Sequence, residues 1–106
     1  MRVVLDACVP RNFGKLLPSH EVTTAQALGF GALDDRPLLD ALEGKCEALV
    51  TVDRGMPDQQ QLASHSFALI VLRARSNRLS DLAPLAAATL AVLASARAGE
   101  VHEVGG

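Results

Sequence analysis

The chain has 106 residues, 49% of them hydrophobic, which is enough for one compact domain over residues 1–106 but not for two. A net charge of −2 excludes a uniformly basic nucleic-acid binder, so any contact with a polyanion must come from a local patch. The aromatic residues are three phenylalanines, which argues against the base-stacking surfaces of RRM and OB folds.

The two cysteines do not form a disulfide framework, and we expect Cys8 and Cys46 to be reduced, partly buried thiols. A catalytic Cys8 would lack an obvious histidine partner. The chain enters a strand directly, without a recognisable leader, and contains no uninterrupted apolar run long enough to cross a bilayer. These features predict a cytoplasmic protein with no membrane partner.

Apolar runs alternate with helical patterns along the chain. The predicted strands cover residues 2–5, 20–23, 48–52, 67–72 and 100–104. The predicted helices cover residues 11–17, 24–28, 57–63 and 81–97, together with one that begins at Asp34 or Asp35 and turns Leu38, Leu39, Leu42 and Cys46 inward. Alternating strands and helices predict an α/β fold with a mainly parallel central sheet in a three-layer α/β/α arrangement.

The last long helix, predicted from Ser80 or Asp81 to about Arg97, is rich in leucine and alanine all round. A helix without a polar face is usually buried on more than one side. We therefore expect its second side to meet another subunit, which makes the chain a homodimer. The alternative is that these alanines simply reflect a good helix former.

Three aspartates hold positions typical of a functional site. Asp6 and Asp53 each end an apolar strand, and Asp35 follows a glycine-containing loop at a helix start. If the two strands are parallel neighbours, their carboxylates meet at the edge where open α/β sheets bind ligands. Clustered carboxylates repel one another, and Mg²⁺ or Mn²⁺ relieves that repulsion. Such an ion activates water against a phosphodiester, so Asp6, Asp35 and Asp53 are candidate metal ligands and catalytic residues.

Each aspartate also has a simpler local explanation. Asp35 could cap its helix, Asp53 could stabilise a turn before Gly55, and Asp6 could cap a helix near Pro10. Taken singly these explanations are sufficient, but two strand-end aspartates in an α/β pattern together favour a site.

Basic residues lie near the same predicted edge. The loop over residues 73–78 leaves the sheet after an apolar strand and contains Arg73, Arg75 and Asn77, which could hold phosphates. Arg11 and Arg54 lie close in sequence to the proposed acids and could act in the same way. The alternative is a loop of solubilising arginines.

Four sequence blocks resemble the compact PIN-like proteins of the DUF5615 group, which are related to Mut7-C-type PIN domains. They are Val-Val-Leu-Asp-Ala-Cys-Val-Pro at 3–10, Gly-Ala-Leu-Asp-Asp-Arg-Pro-Leu-Leu at 31–39, Leu-Val-Thr-Val-Asp-Arg-Gly-Met-Pro at 49–57 and Ile-Val-Leu-Arg-Ala-Arg-Ser-Asn at 70–77. PIN domains are nucleases that use Mg²⁺ or Mn²⁺ on RNA, and many are toxins of VapBC-type toxin–antitoxin pairs. The resemblance implies metal binding by Asp6, Asp35 and Asp53, with Asp34 replacing Asp35 if the register shifts by one.

The chain departs from a full PIN domain in being shorter and in lacking a clear fourth acid, for which Asp58 is a candidate. Arg36 and Pro37 stand where an acidic pair often follows the second acid. The resemblance thus predicts a ribonuclease acting on single-stranded or structured RNA, with an antitoxin protein as a further partner. The alternative is a PIN-like module that binds RNA or a partner protein without cutting.

Overall fold

A single five-stranded, all-parallel sheet organises the chain. In the computed structural model, which describes residues 1–58 and 62–106, the strands run in the order β2-β1-β3-β4-β5. Their bounds are Arg2–Leu5 (β1), Glu21–Thr24 (β2), Ala48–Thr51 (β3), Ala68–Arg73 (β4) and Val101–Gly105 (β5). The α/β prediction is confirmed, and each predicted strand exists within about one residue of its predicted start.

The three inner strands, β1, β3 and β4, are largely apolar on both faces because helices cover both sides of the sheet. Neighbouring residues of a strand point to opposite faces, so Val3 and Leu5 enter one core while Val4 enters the other. The first core also contains Phe13 and Leu93, which come from the helical segments on that side. The result is a three-layer α/β/α arrangement.

Helices of unequal length form the outer layers. Helix α1 (Asp35–Ala41) covers the second core with Leu38 and Leu39. Leu42 and Cys46 are buried as predicted, but they lie beyond the end of the helix and not on it. The first core is covered by a 3-10 helix at Arg11–Leu16, by α2 (Leu79–Leu82) and by α3 (Ala86–Ser95).

Two of the predicted α-helices have a different structure. The helix predicted at residues 11–17 is a 3-10 helix at Arg11–Leu16, in which a side chain at Gly14 would approach Cγ1 of Val22 to 2.8 Å. The helix predicted at residues 24–28 is a turn. The Leu28 amide donates to the Thr24 and Ala25 carbonyls, and Gly29 then takes a positive φ of 84° that ends the coil after one turn.

The long helix predicted over residues 81–97 is in fact divided. It begins at Leu79, after Arg78, and its α segments are separated by a 3-10 segment at Ala83–Leu85. Pro84 explains the division, because it has no amide hydrogen to donate to the preceding turn. The N-cap of the helix is Arg78, so the predicted cap at Ser80 or Asp81 was wrong, and the last segment ends at Ser95, two residues before the approximate end predicted at Arg97.

Helix α3 buries one side only within this chain. Thr89 and Leu93 face the core, whereas Ala87, Ala88 and Ala91 are exposed. The second apolar side is therefore uncovered here, and the expected homodimer stays a prediction. None of the helices in the described part of the chain has the length and apolarity needed to span a bilayer.

The polar segment after β3 is described in part. Short 3-10 helices lie at Met56–Asp58 and Leu62–Ser64. The predicted helix over residues 57–63 includes residues 59–61, which lie outside the described residues, as does the side chain of Asp58.

The strand order places a switch point between β1 and β3. From β1 the chain forms β2 on one side, and it then returns to form β3 on the other side of β1. Ligands of open parallel sheets bind outside the carboxyl ends of the strands at such a point. Asp6 directly follows β1, and Asp53 follows β3 by two residues, so both flank the switch point.

Candidate functional site

Asp6 is held firmly at the carboxyl end of β1. Its amide donates to the Val50 carbonyl at 2.9 Å, which continues the pairing with β3. Its Oδ1 accepts the Ala7 amide at 2.8 Å, and its Oδ2 accepts the Thr51 hydroxyl at 2.7 Å. The Cys8 thiol also donates to Oδ2, with sulfur and oxygen 3.5 Å apart. The carboxylate orientation is thus set by three neighbouring donors.

Thr51 connects the first and third predicted acids. Its fully buried side chain donates to Asp6 and accepts the Asp53 amide at 3.0 Å. A buried hydroxyl needs such partners, and here both of its hydrogen-bonding roles are used between the ends of β1 and β3. Asp53 then accepts the Gly55 amide on Oδ1 at 2.8 Å, which closes a tight turn.

Asp35 reaches the same place from the start of α1. Partial burial raises its pKa to about 6, and a hydrogen bond to the Asp53 carboxyl and the charges of Asp53, Asp6 and Asp34 add to the effect. Three separate segments of the chain therefore bring carboxylates within mutual electrostatic range. The Asp34 alternative is also nearby, as the N-cap residue of α1.

Of the three simpler explanations of these acids, the structure contradicts two and confirms one. Asp35 is the first residue of α1 rather than its cap, and the side chain of Asp34 makes no capping hydrogen bond. The 3-10 helix after Pro10 likewise lacks a side-chain cap, so Asp6 does not serve that purpose. The turn role predicted for Asp53 is confirmed, and it leaves the interaction with Asp35 in place.

Two of the five predicted phosphate-binding residues form side-chain contacts within the chain. Arg73 forms an ion pair with Glu103 of β5 at 3.0 Å, and the Asn77 amide donates to the Cys8 carbonyl at 3.1 Å. Asn77 therefore fixes its loop against the segment that follows Asp6. Arg11, Arg54 and Arg75 are exposed.

Sequence reasoning missed the contribution of Thr51 and the position of Cys8. The signal for Thr51 was a threonine within an aliphatic strand, two residues before Asp53. The Cys8 thiol contacts Asp6 and lies 3.6 Å from the Thr51 oxygen, and its partial burial raises its pKa. A raised pKa keeps the thiol neutral and argues against a nucleophilic cysteine.

The donor atoms of the site are of the kind that hard cations prefer, although they do not form a complete coordination sphere. Carboxylate and hydroxyl oxygens are the ligands that Mg²⁺ and Mn²⁺ prefer. Over residues 1–58 and 62–106, no group of three or more His, Cys, Asp or Glu side chains has an arrangement that could hold a metal ion. The pKa of Asp35 is nevertheless raised, first by its partial burial and then by the neighbouring carboxyl groups. Mg²⁺ commonly uses one or two carboxylates and keeps several waters.

The fold and these contacts define a small, all-parallel α/β protein with an acidic cluster at its switch point. Comparisons with protein-family models, with curated proteins and with solved structures gave no match to this chain.

Proposed function

We propose that the chain is a PIN-like, metal-dependent endoribonuclease whose site is formed by Asp6, Asp35 and Asp53. The observation that carries the proposal is the convergence of these carboxylates at the switch point, where partial burial and then the acidic neighbours raise the pKa of Asp35. A bound Mg²⁺ or Mn²⁺ would supply Lewis acidity and an activated water.

The side chains of the site have distinct tasks in this proposal. Asp35 and Asp53 provide two carboxylates for the cation, since the pKa of Asp35 is raised by burial and then by the Asp53 carboxyl. Asp6 is oriented by Thr51 and supports the same charge from the other strand. The exposed Arg11, Arg54 and Arg75 attract the phosphate backbone of RNA, whereas Arg73 and Asn77 act mainly through the loops they fix.

The proposal is tested by RNA cleavage with the purified chain. We expect the wild type to cut single-stranded or structured RNA with Mg²⁺ or Mn²⁺, and Asp53→Asn to reduce the rate at least about 100-fold. Asparagine keeps an Oδ1 for the Gly55 amide, so the turn should survive. Asp40→Asn, an exposed carboxyl on α1, is the matched control. Absence of cleavage by the wild type, or equal activity of Asp53→Asn, would contradict the proposal.

A second candidate function is a PIN-like module that binds RNA or a partner protein without cutting. It is favoured by the three protein donors that already occupy the Asp6 carboxylate. RNA binding without metal-dependent cleavage would support this candidate. An antitoxin partner and a homodimer through the exposed alanines of α3 are compatible with either function.

A further inference from the structure

Two adjoining depressions lie beside the acidic cluster, along the face of β2. The first has a volume of about 610 Å³ and is bordered by Ala7, Cys8, Arg11, Gln26 and Asn77, among others. Ala7 and Cys8 directly follow Asp6 in the sequence, so this depression lies next to the Asp6 backbone.

The second depression continues from the first. It has a volume of about 480 Å³ and is bordered by Arg11, Asn12, Lys15 and His20, with β2 as its floor. Arg11, Thr24 and Ala27 border both, so the two depressions adjoin, and together they are here named the β2 groove.

The charge of the β2 groove differs from that of the whole chain. Among the described residues that border it there is no aspartate or glutamate, although the chain carries a net charge of −2. Arg11 and Lys15 are exposed cations of the groove, and His20 lies at its far end with its Nδ1 3.5 Å from the N-terminal ammonium. Segregation of positive groups into a groove that leads away from an acidic cluster suits a long anion rather than a single phosphate.

We propose that the β2 groove binds the phosphate backbone of an RNA strand and leads it to Asp6. This inference deepens the proposed function and rests on it for the identity of the ligand as RNA. No Phe, Tyr or Trp side chain borders the groove among the described residues, so binding depends mainly on backbone charge and not on base stacking. Recognition is accordingly salt-dependent and tolerant of sequence.

The proposal is tested by RNA binding in the presence of a chelator, so that cleavage plays no part. The probe is a fluorescent single-stranded 12-nucleotide RNA, titrated at several salt concentrations. Removing two contacts with Arg11→Gln/Lys15→Gln should reduce the slope of log K against log salt by about 1.4 and weaken binding about 10-fold at low salt. The matched control is Lys45→Gln/Arg97→Gln, which changes the same charge at exposed sites outside the groove.

A second variant obstructs the groove instead of neutralising it. Ala27→Glu places a carboxylate at the junction of the two depressions, and the Ala27 amide can keep its bond to the Thr24 hydroxyl. We expect binding to fall at least about 10-fold, with unchanged thermal unfolding.

The outcomes separate this inference from the proposed activity. RNA binding that both groove variants weaken supports it even if no cleavage is found. Equal binding by the groove variants and the control pair, or no binding by the wild type, overturns it. Tighter binding of poly-glutamate than of the RNA, lost in the same variants, would also overturn it and assign the groove to an acidic protein.

Discussion

The Thr51 hydroxyl and the Asp6 carboxylate are joined by a 2.7 Å hydrogen bond across the two central strands of the sheet. The same oxygen accepts the Asp53 amide, so one buried threonine fixes both strand-end acids. Thr51 touches neither solvent nor the proposed RNA path, and we regard it as a positioning residue.

Thr51→Val should lower stability and disturb the acids without changing side-chain shape. It removes the donor to Asp6 and leaves the Asp53 amide without its acceptor, at a cost of about 1–3 kcal/mol. Chemical denaturation measures that loss. Thr51→Ser keeps the hydroxyl and should retain the activity and pH profile that the valine variant loses. Equal pH profiles in both variants would mean that Thr51 contributes only to packing.

Asp35 should make the chain less stable as the pH rises from about 4 to 6. The folded state holds the Asp35 proton more tightly than the unfolded chain, because its pKa rises from 3.8 to about 6. Above that window both states are ionised and the repulsion acts fully. We expect the free energy of unfolding of Asp35→Asn, relative to that of the wild type, to increase by about 1 kcal/mol from pH 4.5 to pH 7.5, after allowance for solvent screening.

Thermal unfolding at the two pH values measures this difference, which corresponds to roughly 4 °C. Glu21→Gln, an exposed carboxyl at the start of β2, is the control and should show no such gain. The comparison with the wild type cancels the opposite contributions of Glu43, Glu47 and Glu100, whose pKa values are lowered by hydrogen bonds. A constant difference across the pH range would argue against charge repulsion at Asp35.

Divalent metal should reverse the same repulsion. At pH 7.5, Mg²⁺ at about 100 times its dissociation constant should stabilise the wild type by about 2.7 kcal/mol. Below pH 6 protons compete for Asp35 and the effect should shrink. Asp53→Asn should abolish the gain, whereas Asp40→Asn should keep it. Thermal unfolding with and without chelator provides the readout, and equal gains in all variants would point to nonspecific ion effects.

Gly99 should tolerate alanine poorly compared with Gly44. Both have positive φ values, but a Cβ at Gly99 would lie 2.7 Å from the Ala63 carbonyl oxygen, whereas one at Gly44 meets no atom within 4 Å. We expect Gly44→Ala to cost about 1 kcal/mol from backbone strain alone and Gly99→Ala about 2 kcal/mol more. Denaturant midpoints test the ranking, and equal costs would mean that the backbone near Ala63 yields freely.

The sequence predicted the sheet well because its strands are short apolar runs bounded by clear turn residues. Leu49 and Val50 need no partner information to indicate a buried strand. Helix boundaries were harder to predict, since Pro84 divides the last helix through its missing amide hydrogen. At the site, strand-end positions located Asp6 and Asp53, whereas the bridging role of Thr51 depends on a register that pairs Leu5 with Val50.

The parallel sheet also governs how the chain can assemble. Val3 pairs with Ala48, and Leu69 pairs with Val101, so no neighbouring strands can form a local hairpin. During synthesis, β1 must remain without its central partner until β3 has left the ribosome. The acidic cluster cannot form before that moment, which delays any activity until most of the sheet exists.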